Sequence, residues 1–570
     1  MKNEQIANLF EAIADLLEIK GEVVYKTLSY RRAAESIRAL GRDLEDVRQD
    51  EGLRTIPGVG KALAAKIEEL LDTGQLEFYN NLVEDVPEGL LQVLTLRGVG
   101  PKSAARYWKE LGVTSLEELE KAAREGRVQT LSGMGARTES ALLVSLEEYR
   151  RMQSGRLLLS AAEAAANEML QVVRGIPGVE QAEIAGSLRR RRETIGDLDV
   201  VVAAIEPEGV LDAFVNSSLV LKVLAAGGSK ASVILSNGVR AQLWAYPPES
   251  FGSVLHYATG SQAHNVRLRE RAQRQALSLS ERGFKTRDGA LIPCSEEKQV
   301  YERLGLPWIP PELREDRGEL DGDVPPLLED GDLHADLHTH TSWSDGANSI
   351  EEMARAAKEA GLQVLAITDH SQSLVVAGGL MPDEWQRQHE EIERIQDKLG
   401  DSPRLLHGAE VEILADGRLD FPDDLLEEMD IVVASLHSGF RQEPAMVTSR
   451  LLNAIQNPYV DIIGHPTGRL LGRREGVALD MEKVLAAAEE RRVALEINAH
   501  PERLDLNDAY ARRAVEVGCL LAINSDSHHV SGFANLPFGI SVARRGWVPR
   551  NAVVNAWSKK QLFAWLDRNR

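Results

Sequence analysis

Two carboxylates open the chemistry of this chain. In GDLDVVV (196–202), Asp197 and Asp199 are separated by one residue, and the period-two alternation of a strand sends both to the same side. Carboxylates one pleat apart suit Mg²⁺ or Mn²⁺ ions that clamp a triphosphate and an attacking hydroxyl. The valines that follow fit only a buried strand. Just upstream, AGSLRRRRETIG (185–196) supplies Gly186 and Ser187, whose N–H and O–H groups suit phosphate oxygens, Arg190 as a guanidinium fork, and Gly196 in the turn before the acids. The plain alternative is an edge strand with solvated acids beside a solvated basic run.

A second chemistry lies further on. Of 13 histidines, eleven fall between His334 and His529. This region contains seven apolar segments of strand length: ADLHTHT, QVLAITDH, RLLHGAEVEI, IVVASLH, VDIIGHP, VALEINAH and LLAINSDSHH. Their spacing suits intervening helices, which predicts a parallel sheet closed or nearly closed into a barrel, with active-site groups at its C-terminal mouth. Potential ligands stand at the strand ends: His338, His340, Asp345, His370, Glu410, His437, His465, Asp526 and His528. Imidazole and carboxylate without thiolate suit two to three Mn²⁺, Zn²⁺ or Fe²⁺ ions, a set able to attack a phosphoester. His334, His389, His407, His500 and His529 fall outside the pattern and are expected to be structural.

A third feature precedes both. IPGVGKALAAKI (56–67), LRGVGPKSAARY (96–107) and LSGMGARTESAL (131–142) each join a Gly-x-Gly turn to a helical pattern. Gly58 and Gly60, Gly98 and Gly100, and Gly133 and Gly135 permit tight reversal, leaving the N–H groups of the following helix outward as a phosphate cradle. The repeats resemble helix-hairpin-helix elements, which grip a DNA backbone without reading its sequence.

The elements that must position these groups belong to several domains, because 570 residues exceed one ordinary core. With 43% hydrophobic and 27% charged residues, two distant cysteines, no span-length apolar run and an amphipathic N-terminus unlike a leader peptide, a cytoplasmic protein with no membrane association is expected. The net charge of −22 opposes non-specific attraction to nucleic acid, yet the basic run at 189–192 leaves a local patch. The segment 305–333, with five prolines, nine acids and two arginines, reads as a linker.

The order Gly-Ser-x-x-Arg then Asp-x-Asp resembles the nucleotidyltransferase palm of family X DNA polymerases, and YATGSQAHNVRLR (257–269) resembles that family's next segment. The resemblance implies roles for Tyr257 and Gly260 by the nucleotide sugar, Asn265 by the base edge and Arg269 by the template. It also aligns Lys66 with the lysine that forms a Schiff base with an abasic sugar, chemistry that needs a neutral amine; Lys61 and Arg54 are candidates to lower its pKa. A phosphate-contacting or solvated lysine is the alternative. The family's strand matching VRAQLWAYPPES (239–250) carries a third aspartate where this chain has Gln242, and Ala258 replaces a phenylalanine. HTHT, TDH, GHP and DSH resemble the polymerase and histidinol phosphatase (PHP) domain, with all nine ligand positions filled.

The resemblance implies a lyase-like helical domain at 1–85, a helix-hairpin-helix region at 86–153, an α+β palm at 154–248, a nucleotide-selection subdomain at 249–315, an acidic linker at 316–333 and a distorted (β/α)7 PHP barrel at 334–570. It further implies a monomeric DNA repair protein acting on gapped, nicked or 3′-ended duplex with dNTPs, whose barrel is a metal-dependent 3′-5′ exonuclease and whose palm is compromised at Gln242. The rival expectations are a small-molecule phosphatase of the histidinol phosphatase kind and a non-catalytic DNA-end scaffold.

Overall fold

The N-terminal helix, Asn3–Lys20, buries Ile6, Phe10, Ile13 and Leu17, a three- and four-residue spacing that gives one apolar face. A computed structural model describes residues 3–22, 24–38, 44–50, 52–94, 96, 99–135, 138–140, 142–143, 145–146, 156–322, 324–440 and 442–569. The chain divides into two compact units, 1–155 and 156–570.

The first unit is helical. Gly60 and Gly100 are the N-caps of helices Lys61–Thr73 and Pro101–Leu111, and neither start carries a side-chain cap, so the first N–H groups remain open. Gly58 has φ +79°, and a Cβ there would stand 3.3 Å from that of Arg32. Gly133 (φ +77°) and Gly135 form the corresponding turn of the third repeat, where the Thr138 N–H donates to the Gly135 carbonyl. Gly98 lies outside the described residues.

The second unit begins with a five-stranded sheet in the order Val179–Ile184, Leu198–Ala204, Arg240–Tyr246, Lys230–Leu235, Val220–Ala226. Only the second and third of these neighbours run parallel, in a register that sets Asp199 opposite Gln242. Leu198, Val200 and Val202 pack with helix Leu159–Arg174, whereas Val201 and Ala203 pack with Phe251 and Val254 of helix Phe251–Thr259. The sheet is thus covered on both faces beside the acids.

The acidic segment is not a free spacer, contrary to its composition. Arg314 is fully buried and pairs with Glu297 at 2.5 Å, Glu319 pairs with His264 at 2.7 Å, and Leu320, Val324 and Leu327 pack against a core containing Leu268 and Tyr301. Its charges have partners far away in sequence, which composition does not reveal.

Seven parallel strands follow in chain order: Ala335–Asp336, Val364–Ile367, Arg404–Glu412, Ile431–Ser435, Ile462–Gly464, Ala494–Asn498 and Leu520–Asn524. Alternate residues divide between two cores. Leu365, Ala409, Val432, Ile463 and Leu495 pack in the larger core with the flanking helices, and Ala366, Leu406, Val433, Ile462 and Ala494 pack with Leu562, Trp565 and Leu566 of the last helix. The barrel is nearly closed. At the seam, buried Asn555 donates to the carbonyls of Ala335 and Ile523 and accepts from the Ile523 N–H, joining first and last strands through a side chain. Beyond the seam, Thr339 and Ser527 form a parallel bridge.

Palm and barrel touch within this unit. Arg191 donates to Ser541 Oγ (2.9 Å), Arg545 to the Arg190 carbonyl (2.7 Å) and Arg469 to Glu193 (2.7 Å), while Phe538 packs against the palm core.

Candidate active sites

Asp197 lies in the bend just before strand Leu198–Ala204 and Asp199 lies within the strand. Both line a cavity of about 600 Å³, a size suited to a nucleotide. Gly186, Ser187, Arg190, Gly196, Tyr257, Gly260, Asn265 and Arg269 line it as well, so the palm positions selected from sequence meet in one place. Gly186 has φ +62°, and a Cβ there would fall 2.3 Å from Asp199 Oδ2; only glycine lets this turn approach the acid.

Neutral donors occupy the carboxylates. Gln242 Nε2 donates to Asp197 Oδ2 at 2.6 Å, and Trp244 Nε1 donates to Asp199 Oδ1 at 3.2 Å. Burial, reinforced by the Asp197 charge, pushes Asp199 up to about 6. Lys230 stands 3.8 Å from the Trp244 ring centroid, and its attraction to Asp199 and Asp197 opposes the lowering of its own pKa by burial. Arg190 is less available than its motif suggests: it pairs with Glu315 at 3.1 Å and donates to the Thr259 carbonyl, and Arg192 and Arg545 share the same glutamate. Asn265 Nδ2 donates to the Tyr257 carbonyl, leaving its buried Oδ1 without a hydrogen-bond partner among the described residues.

The barrel site converges more tightly. Glu410, 1% exposed, is surrounded by imidazoles: His370 Nδ1 at 2.8 Å and His338 Nε2 at 3.4 Å from Oε2, and His465 Nε2 at 2.9 Å and His437 Nε2 at 3.3 Å from Oε1. Asp526 Oδ1 lies 3.1 Å from His340 Nε2, and Asp345 Oδ1 lies 3.3 Å from His528 Nε2 and 3.6 Å from His370 Nε2. Among the described residues, three groups have ligand atoms close enough to share an ion: His340, Asp345, His370 and His528; His338, His340 and Asp526; His370, Glu410 and His437.

The donor set fits cations. Among the described residues, both Glu410 oxygens, both His340 nitrogens, His338 Nε2, His370 Nδ1 and His465 Nδ1 are buried without a partner of hydrogen-bond geometry. Such groups are costly to leave unsatisfied, and divalent ions would satisfy those that face the cluster. Electrostatics agree. Burial opposes ionisation of Glu410, but His437 and His338 outweigh it and hold the carboxyl well below its usual range. Burial likewise disfavours charge on His437, yet Glu410 and Glu412 raise it to about 10, whereas burial and the neighbouring His370 and His528 lower His340 to about 3.

Sequence reading missed the carboxylates behind the histidines. Glu496 accepts from His338 Nδ1 (2.8 Å), the His465 N–H (2.7 Å) and Asn524 Nδ2 (2.9 Å), and Glu412 engages His437 Nδ1 at 2.8 Å. They fix ring tautomer and orientation. Glu412 had a signal, since it follows Glu410 by two on one strand; Glu496 in VALEINAH had a comparable one, an acid inside a buried strand near its ligand-bearing end.

In the first unit, Lys66 Nζ stands 3.6 Å from the centroid of Phe78. Its pKa is lowered chiefly by burial, with Lys26 a further contributor and Glu69 opposing. Lys61 and Arg54, the neighbours expected from sequence, are not the source; the source is packing beneath a ring from another helix.

Family models place this geometry among known proteins. A helix-hairpin-helix domain matches residues 1–76, a SAM-like helix-hairpin-helix tandem 90–148, the DNA polymerase beta thumb 254–315 and the PHP domain 336–500. A probable phosphatase of Thermoanaerobacter sp. (strain X514) is 33% identical over 39% of this chain and 90% of its own length, and one of Caldanaerobacter subterraneus subsp. tengcongensis is 36% identical over 34% and 76%. The DNA polymerase/3′-5′ exonuclease PolX of Bacillus subtilis (strain 168) is 38% identical over the whole of both chains. With palm, thumb and PHP barrel in that order and similarity extending end to end, the chain belongs to the family X DNA polymerases that carry a C-terminal PHP domain.

Proposed function

We propose that this protein is a DNA repair enzyme that removes nucleotides from DNA 3′ ends at the barrel, and whose palm holds a nucleotide but extends primers poorly. The observation that carries the nuclease reading is Glu410, buried with its two oxygens 2.8–3.4 Å from ring nitrogens of four histidines. Two to three divalent ions, Mn²⁺, Zn²⁺ or Fe²⁺, suit that set and would be held by Glu410 with the surrounding His and Asp residues; bound there, they would supply Lewis acidity to a phosphodiester and to an attacking water. The chain's own contribution is to aim imidazole ring nitrogens inward, with Glu496 and Glu412 orienting His338 and His437 from behind.

At the palm, Asp197 and Asp199 would bind Mg²⁺ or Mn²⁺ with the dNTP phosphates, near Gly186, Ser187 and Arg190. Gln242 supports the reading of poor extension, because an amide brings no charge to the ion that would activate a primer hydroxyl and already donates to Asp197. The glycine turns at 58–60, 98–100 and 133–135 would grip the DNA backbone, and a monomeric, cytoplasmic protein suits this work. The phosphatase-named relatives match 39% and 34% of this chain, whereas the polymerase/exonuclease relative matches all of it, which favours DNA over a small phosphoester here.

The deciding experiment follows a 5′-labelled primer on one-nucleotide-gapped DNA with Mn²⁺, with and without dNTPs. Shortening that ignores dNTPs is expected, and is abolished in His340→Ala or Asp526→Asn; unchanged degradation in those variants would refute the barrel assignment. Robust templated lengthening by the wild type would refute the reading of the palm.

A further inference from the structure

One side of the barrel mouth carries two arginines, Arg503 and Arg474, of which only Arg503 lies within ion-pair distance of a carboxylate among the described residues. Arg503 sits in the turn 500–504, its side chain about one-fifth exposed, with Nε 3.5 Å from Asp526 Oδ2. Asp526 is the one carboxylate within ion-pair distance of it among the described residues. The turn is pinned: the Arg503 N–H and Leu504 N–H donate to the His500 carbonyl, the Leu471 N–H donates to the Glu502 carbonyl, and Arg469 Nε donates to the Arg503 carbonyl. Nearby, Arg474 has its guanidinium 4.1 Å from the Phe440 ring centroid and, among the described residues, donates to the neutral Gly468 carbonyl. Neither shares a carboxylate with the other. The Arg503 charge acts on His465, Asp526, His500 and Arg474, in keeping with its Nε lying 3.5 Å from the candidate ligand Asp526.

Arg503, 3.5 Å from the ligand Asp526 and close enough to Arg474 for the two charges to act on each other, is placed to meet an anion held at that cluster. A phosphodiester bound there would offer one oxygen to the cluster's cations and another to N–H donors. We propose that Arg503, supported by Arg474, binds a non-bridging oxygen of the scissile 3′-terminal phosphate; this rests on the nuclease reading above. The planar fork offers two parallel N–H donors to phosphate, and its rigid backing means that little ordering is required when DNA arrives. Arg469 extends the same wall to the palm through Glu193.

The test compares wild type, Arg503→Met and Arg503→Lys on a single-stranded DNA 3′ end bearing either a natural terminal linkage or the separated diastereomers of a methylphosphonate, with metal content measured by mass spectrometry. Arg503→Met is expected to keep its metal and to lose about 10²-fold in kcat/KM on the natural linkage, the scale of removing one donor to a developing oxyanion. The penalty that wild type shows for one methylphosphonate diastereomer is expected to shrink by about tenfold in the variant, because the oxygen replaced no longer has a donor, and Arg503→Lys is expected to fall between. Loss of metal from Arg503→Met would overturn the proposal in favour of a role in holding Asp526. Natural-linkage cleavage at the wild-type rate, or an unchanged diastereomer penalty, would overturn it too. Wild-type protein that releases no nucleotide from the natural end would instead defeat the nuclease reading on which the proposal stands.

Discussion

Replacing Gln242 by aspartate tests whether the palm lacks only a charge. The Gln242 amide touches Asp197 Oδ2 at 2.6 Å and sits in register with Asp199, so a carboxylate on the shorter side chain would lie roughly 4 Å from Asp197. Two unit charges at that distance and an effective dielectric near 20 repel by about 4 kcal/mol. Without metal, this cost joins the loss of the amide hydrogen bond. With Mn²⁺ it reverses, because an ion between the carboxylates is attracted to both. Allowing half of the Coulomb term for relaxation and screening leaves about 2 kcal/mol, or more than tenfold in affinity. The assay is best made in a His340→Ala background, where shortening no longer consumes the product. Calorimetric Mn²⁺ titration in the presence of a non-hydrolysable dNTP, alongside extension on gapped DNA, should show both quantities rising in Gln242→Asp, extension by at least about tenfold. Tighter Mn²⁺ binding without extension would refute the argument that the missing acid is what limits the palm; no change in Mn²⁺ binding would refute the placement of residue 242 in the metal site.

Removing the carboxylate behind His338 by Glu496→Gln is expected to weaken metal affinity about 10- to 100-fold with secondary structure unchanged, measured by competition with a chelating dye. Dialysis against a strong chelator should abolish DNA shortening, and Mn²⁺ should restore it; full activity after verified metal removal would exclude the proposed chemistry. Lys66→Ala should eliminate any borohydride-trapped adduct with abasic DNA, and absence of trapping in the wild type would assign the half-buried amine to phosphate contact. Glu297→Gln would strand the buried Arg314 guanidinium and is expected to destabilise the thumb by about 3–5 kcal/mol, read by urea denaturation. Arg314 and Arg189 hold Glu297 far below the usual carboxylate range against the cost of burial, so this stability is present above pH about 4.5 and is lost as pH falls below it.

The parts legible in the sequence were those in which local pattern and position coincide. Barrel strands are short apolar runs ending in His, Asp or Glu, and a parallel sheet brings such ends to one mouth, so His338, Glu410 and Asp526 meet although 188 residues separate the first from the last. Gln242 was legible as an absence through the family resemblance, which expects an aspartate there, and the strand register sets it opposite Asp199. Contacts between distant polar residues were not legible. Nothing in an acidic, proline-rich stretch marks Glu319 for His264, or Glu315 for Arg190; each pair is set by how the thumb packs. Asn555 could not be distinguished from a surface asparagine, because the seam it fills exists only after seven strands have curled together. Lys66 showed the same limit: the ring that covers it comes from the next helix.

The bonds linking Arg545 to the Arg190 carbonyl, Arg191 to Ser541 and Arg469 to Glu193, with Phe538 wedged into the palm, make palm and barrel one folding body. A palm that no longer extended primers would therefore still be retained, because deleting it would strip a wall from the barrel, expose Phe538 and remove the palm-side partners of Arg469 and Arg545. Selection on the nuclease alone would preserve the palm's shape while leaving its catalytic acids free to drift, and a glutamine where a third aspartate is expected is the kind of change such partial protection permits.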